Sequence, residues 1–136
     1  LPFGDGAFDE LVARDLIEHI PPSETRSALA EWTRVLKPGG VLKLRFPDLV
    51  KIATKLVSGG FKPDSGKGLL TSDDVAVWLV YGDQSPEWGG TEWGSHKTGF
   101  TALQIEALLK SFGYYQVIIG RNSDEFNIYV TAVKGG

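Results

Sequence analysis

The 136-residue chain contains no cysteine and no methionine, and only two histidines, His19 and His96. Without cysteine there is no disulfide and no thiolate metal site, which suits a reducing compartment and sets the expectation of a cytoplasmic protein. No apolar run approaches the roughly 20 residues of a spanning helix, and no leader pattern is present, so no membrane partner is expected. An excess of either charge is lacking too: 14 Lys and Arg against 17 Asp and Glu leave a net charge of −3 and a pI near 5.3. That balance makes no electrostatic case for binding nucleic acid or an anionic surface. Internal repeats and low-complexity tracts are also missing. The length is that of one domain with room for a real core. With no methionine and Leu1 first, the expectation is either that residues lie upstream or that the gene was cut before this point.

The stretch from Phe8 to Asp48 is the most informative. FDELVA is a short apolar run with a β-branched centre, which predicts a strand over about Asp9–Arg14. Pro21-Pro22 and Ser23 open a helix expected to run to Leu36, with Ser23 as its cap and Glu24 in the first turn. Leu29, Trp32 (or Thr33) and Leu36 share one face, while Arg26 and Arg34 face outward or pair with Glu31. Lys37-Pro38-Gly39-Gly40 stops that helix, and Val41–Phe46 is a second strand. Leu42, Leu44 and Phe46 lie on one of its faces, and Val41, Lys43 and Arg45 on the other. A strand covered on both sides would be apolar throughout, so one sheet face is expected to be only partly covered. Strand, crossover helix and strand make a βαβ unit whose strands are parallel and adjacent.

Downstream, Asp48 begins a helix through about Val57, with Leu49, Ile52, Ala53 and Leu56 as its buried stripe. Residues 58–100 form a long insert. It holds a glycine-rich loop, then a helix over Thr71–Tyr81 capped by Thr71 or Ser72. A second loop from Gly82 to Gly99 is rich in glycine and aromatics. There Trp88 and Trp93 either pack over the sheet or stack on a sugar or peptide ligand. Thr101 caps a helix over Ala102–Phe112, with Leu103, Ile105 (or Glu106), Leu108 and Leu109 inward and Gly113 as the stop. Gln116–Gly120 and Phe126–Lys134 are strands, joined by a turn over Arg121–Glu125 into an antiparallel hairpin.

Ligands of open parallel sheets sit beyond the carboxyl ends of the strands, which singles out Arg14, Asp15 and Leu16. Alternatively, Asp15 caps the following turn and Arg14 pairs with it. Asp15, Glu18 and His19 have the i, i+3, i+4 spacing that would put three metal-ligating side chains on one side of a helical turn. No carboxylate can be placed beside His96 from the sequence, which leaves an exposed His96-Lys97 turn as its plain alternative.

Phe8-Asp9, Glu18-His19-Ile20, Glu31, Arg34-Val35-Leu36-Lys37-Pro38-Gly39-Gly40 and Pro47-Asp48 together carry a likeness. They resemble the second half of a class I S-adenosylmethionine-dependent methyltransferase. Tyr81-Gly82, His96-Lys97, Gly99-Phe100-Thr101 and Ser111-Phe112-Gly113-Tyr114 resemble a subgroup of that family, so the likeness spans nearly the whole chain. It implies an α/β, Rossmann-like three-layer fold in partial form. The sheet would be mixed and about four-stranded, ending in the antiparallel hairpin, in the order strand one, strand two, last strand, penultimate strand. Helices 23–36, 48–57 and 101–112 would lie mainly on one face. Residues 1–136 would be a single truncated domain, with 58–100 as its lid region.

The resemblance also implies a site. S-adenosylmethionine would be the cofactor. The loop bearing Phe3 would pass beneath its adenine, although Leu1 and Phe3 are also readable as plain buried anchors. Arg14, Asp15 and Leu16 would border the methionine part. Asp15, Asp48 and His96 would line the acceptor site, His96 taking a proton from an acceptor hydroxyl or amine. Some quinone-pathway methyltransferases carry a comparable acidic-x-x-Glu-His metal site. Across the family the histidine more often packs or hydrogen-bonds, and no metal is assigned here.

The family's amino-terminal signature, a glycine-rich turn between strand and helix, has no counterpart: Gly39-Gly40 ends a helix and Gly89-Gly90 lies in a loop. The first strand is then expected to have a bare edge, and the chain to be a homodimer through that edge or through the uncovered sheet face. Either the chain is the carboxyl portion of a methyltransferase, its acceptor a small molecule or saccharide by analogy, or it is a noncatalytic remnant that does not bind the cofactor.

Overall fold

The sheet is built outward from one parallel pair. In this computed structural model, which describes residues 1–120 and 126–136, β1 (Phe8–Arg14) runs parallel to β2 (Leu36–Pro47), and α1 (Pro22–Val35) crosses between them. The turn expected over Arg121–Glu125 lies outside the described residues. β3 (Tyr114–Gly120) and β4 (Asn127–Lys134) are antiparallel to each other, and β4 inserts beside β2. The order β1-β2-β4-β3 is the expected one, with β1 at the edge.

Period-2 alternation decides which face is buried. Leu42, Leu44 and Phe46 of β2 point to the same side as Ala13, Ile128, Val130 and Ala132, and all are buried there. Leu29 and Trp32 of α1 close over this face, as do Ile105 and Leu109 of α5 (Ala102–Ser111). Each such side chain contributes about 1.5–3 kcal/mol on burial. The opposite face has no described helix packed against the strands. Val12, Lys43, Thr131 and Ile118 form one cross-strand row on it, and Val12 and Ile118 are both exposed.

Several local expectations are corrected. Ser23 does not cap α1: Pro21 is the N-cap residue and Pro22 opens the helix, where a missing N–H leaves no donor to satisfy. LKPGG does end α1, but Leu36 is already extended and the strand begins there, earlier than Val41. The end of α1 is closed from far along the chain, because Lys134 Nζ donates to the carbonyls of Thr33 at 2.7 Å and Leu36 at 2.6 Å. Leu103 is exposed rather than inward. Ile105 and Leu109, four apart, already define the buried face of α5, and Thr101 caps it in a reciprocal box with Gln104.

α2 (Leu49–Ser58) does not join the helices on the main core. It packs on α3 (Ser72–Tyr81), where Ile52, Phe61, Ala76 and Leu79 form a second cluster. Of its expected stripe only Ile52 is buried. Thr71 caps α3 as expected, its hydroxyl and the Asp74 carboxylate exchanging bonds across the first turn. The stretch from Gly82 to Gly99 is less bare than expected, holding a 3-10 turn over Pro86–Trp88 and a single helical turn α4 (Gly90–Trp93).

Candidate functional site

The carboxyl ends of β1 and β2 meet the strap of residues 82–100 at one edge of the sheet. β1 ends at Arg14, and Asp15 turns the chain with φ of +52°, in the left-handed region. Its carboxylate is held not by Arg14 but by Arg45 of β2, whose Nε donates at 3.0 Å. That pairing replaces the expected Arg14–Asp15 pair. Beyond it, Ile17–His19 make one 3-10 turn that buries Ile17 and Glu18.

Glu18 is the unusual group here. It is only 2% exposed, and its Oε2 has no hydrogen-bond partner among the described residues. Burial pushes the carboxyl up to about 7, so near neutrality it is divided between its two forms. The strap is fastened to this turn through backbone: the amides of Lys97 and Thr98 donate to the Glu18 carbonyl at 2.7 and 3.2 Å. The His96 amide donates to Tyr81 O at 2.9 Å, and Lys97 Nζ reaches the carbonyls of Glu92 and Ser95.

These bonds bring His96 against His19. The rings meet edge to face with centroids 4.8 Å apart, and His19 Nδ1 donates to the Ser95 carbonyl at 3.1 Å. A carboxylate oxygen of Glu18 and one ring nitrogen from each histidine all lie within 4.8 Å of one another. His96 is therefore half-buried beside a carboxyl group rather than part of an exposed turn. Burial pushes its imidazole below the ordinary range, and His19 adds to the effect. Glu18, His96, Thr98 and Phe46 line a cavity of about 10 Å³, room for about one water.

Of the residues marked from sequence, Asp15, Asp48 and His96 are brought to this edge, and Glu18 is the one that sequence reading placed in a ligand pattern with Asp15 instead. Asp48 is buried and caps α2, accepting from the amides of Val50 at 3.0 Å and Lys51 at 3.3 Å. Its own amide donates to Phe126 O at 2.7 Å. Phe3 is not a buried anchor: it is 48% exposed, with its ring edge-on to Phe8 at 4.9 Å. Leu1, Leu16 and Arg14 are exposed as well. Trp88 and Trp93 stand out in solvent and do not pack over the sheet.

A family profile described as a methyltransferase domain matches residues 1–44, the part that holds β1, α1 and most of β2. No curated protein matches the chain. Among solved structures, the PH0226 protein of Pyrococcus horikoshii is similar over 98% of this chain and 55% of its own, at 19% identity and a TM-score of 0.62. A SAM-dependent methyltransferase from Methanosarcina mazei is similar over 99% of this chain and 63% of its own, at 22% identity and a TM-score of 0.60.

The fold is that of a class I methyltransferase.

A third structure of this fold, the 1,6-didemethyltoxoflavin-N1-methyltransferase of Burkholderia thailandensis, holds S-adenosylhomocysteine. It is similar over 98% of this chain and 47% of its own, at 14% identity and a TM-score of 0.58. The chain thus spans about half to two thirds of the length of these methyltransferase-fold structures. Arg14 and Leu16 stand exposed at the carboxyl end of β1, whereas Phe3 lies at its amino end against Phe8, and neither of the two described cavities is lined by any of the three. The larger cavity, about 720 Å³, lies elsewhere, between the loop at 66–69 and the end of α3, with Lys67 Nζ 4.2 Å above the Trp78 ring. The three positions that the resemblance assigns to the cofactor thus lie on open surface and at two different ends of β1.

No described helix is long and apolar enough to cross a membrane.

Proposed function

We propose that this chain is the acceptor-side, carboxyl portion of an S-adenosylmethionine-dependent methyltransferase, acting on a hydroxyl or amine of a small molecule or saccharide. The observation that carries this reading is His96. Its ring is kept toward the neutral form by burial, at the sheet edge where a ligand of this fold sits. A neutral imidazole there can accept the proton that an acceptor nucleophile must lose. S-adenosylmethionine, when bound, supplies an activated methyl group. What these residues do is orient the acceptor and take up its proton, since positioning is the main source of rate in such transfers. That a structural neighbour carries a small heterocyclic acceptor in its name supports a small-molecule substrate.

A second reading has its own support. β1 is the sheet edge, and no glycine-rich turn follows a strand in this sequence. A chain of this kind would fold as a homodimer and leave the cofactor unbound.

Titration with S-adenosylhomocysteine, followed by melting temperature, separates the two. A ligand that binds only the native state stabilises it by about 2.7 kcal/mol at a hundredfold excess over Kd. A rise in Tm that saturates supports the methyltransferase reading. An unchanged Tm at millimolar ligand rejects cofactor binding by this chain and favours the noncatalytic reading.

A further inference from the structure

We propose that Glu18, His19 and His96 bind one divalent transition-metal ion, of the class zinc represents, where the end of β1 meets the strap after α3. The chain has two histidines, and the fold brings both to one point although they are far apart in sequence. One ligand atom from each histidine and one from Glu18 lie within 4.8 Å of one another. Around a tetrahedral ion with bonds near 2.1 Å, ligand atoms stand about 3.4 Å apart. Closing that difference requires the three side chains to turn toward a common centre.

Three further observations point to a cation. Glu18 Oε2 is buried with no hydrogen-bond partner among the described residues, and it belongs to a residue 2% exposed. A buried carboxylate oxygen left alone is costly, and a metal ion is a partner that would satisfy it. His19 Nδ1 donates to the Ser95 carbonyl, so Nε2 carries the ring's lone pair. This is the arrangement in which a backbone acceptor orients a ligating histidine. Finally, Glu18 and His96 line the small cavity, which leaves a place of about one water beside the cluster. Two imidazoles and one carboxylate with an open position suit zinc and its first-row neighbours, whereas magnesium and calcium prefer all-oxygen sets. Asp15 is not a member, being paired with Arg45. An imidazole whose lone pair is given to a metal cannot also take a proton, so His96 serves as base only where the site holds no ion. Ion binding and S-adenosylhomocysteine binding are measured separately, so the two readings can fail separately.

The test uses tag-free chain stripped with a chelator and titrated with Zn²⁺ alone, with Co²⁺ as the spectroscopic probe. One Zn²⁺ per chain, a saturating rise in Tm and visible cobalt ligand-field bands are expected. Glu18→Gln and His96→Gln are each expected to weaken Zn²⁺ binding at least about tenfold. Glu92→Gln, on the same strap, should bind as the parent does, and Mg²⁺ or Ca²⁺ alone should leave Tm unchanged. The proposal is overturned if the folded parent takes up neither Zn²⁺ nor Co²⁺ at millimolar ion. It is equally overturned if both ligand variants bind Zn²⁺ with unchanged affinity. Should a variant fail to fold by circular dichroism, the cobalt spectrum of the parent decides.

Discussion

Asp48 serves the fold before it serves any chemistry. Its Oδ1 accepts from two amides at the start of α2, a capping role that an amide oxygen also fills. Asp48→Asn should therefore keep the cap, while Asp48→Ala should lose it at a cost of about 1–2 kcal/mol in urea unfolding. If Asp48→Asn also retains methyl-acceptor binding, the residue is a cap and not a catalytic group. Glu31 gives a pH dependence of definite sign. The Arg34 guanidinium hydrogen-bonded to it holds its carboxyl down to about 2, below the ordinary 4.5. A depressed pKa means that the stabilisation is fully present above 4.5 and is lost as pH falls toward 2. The acid limb of the Tm profile should flatten over that window in Glu31→Gln. At this scale the sequence was only half legible. The pairing of Arg34 with Glu31 follows from helical spacing, one turn apart. The neighbourhood of His96 does not, since its contact with Glu18 depends on how the strap folds back and on no local period.

At the scale of elements, the strap is the piece on which the site depends. Gly82 sits at φ 86° and ψ 168°, a region essentially restricted to glycine. A Cβ there would run into the Gly94 carbonyl oxygen and the His96 amide. Gly82→Ala should cost about 1–3 kcal/mol. It should also raise hydrogen exchange at the His96 and Lys97 amides ahead of the β2 amides, because the strap bonds are what it strains. Uniform exchange across strap and sheet would show that the strap has no separate stability. The caps of α3 and α5 were readable because Thr71 and Thr101 each stand three residues before a side chain that returns the bond. The packing of α2 was not, because an apolar stripe states that something covers it and not what. The stripe's partner turned out to be α3, reached across the loop holding Phe61.

For the whole molecule, the sheet order was legible because two short rules compose it: a parallel crossover first, then a hairpin whose second strand returns beside β2. The chain exposes 7728 Å², where a monomer of 14.8 kDa typically exposes about 7,000 Å². The excess agrees with an unpaired β1 edge and with Val12 and Ile118 standing on the uncovered face. Sedimentation equilibrium should then report self-association toward twice the chain mass, and a monomer at every concentration would reject it. Ile118→Lys distinguishes the two modes: it should dissociate a dimer built on the faces and leave one built on paired β1 edges intact.

The Lys134 ammonium that closes the end of α1 has a consequence for how the protein comes into being. A ribosome releases α1 long before it has made β4, so the first crossover leaves the exit tunnel with its carboxyl-terminal carbonyls facing only water and with β2 lacking its antiparallel neighbour. The last partners of that opening unit come from a strand synthesised almost a hundred residues later, with separations of 101 and 98 positions at the two lysine contacts, which puts these bonds among the most non-local and slowest to close.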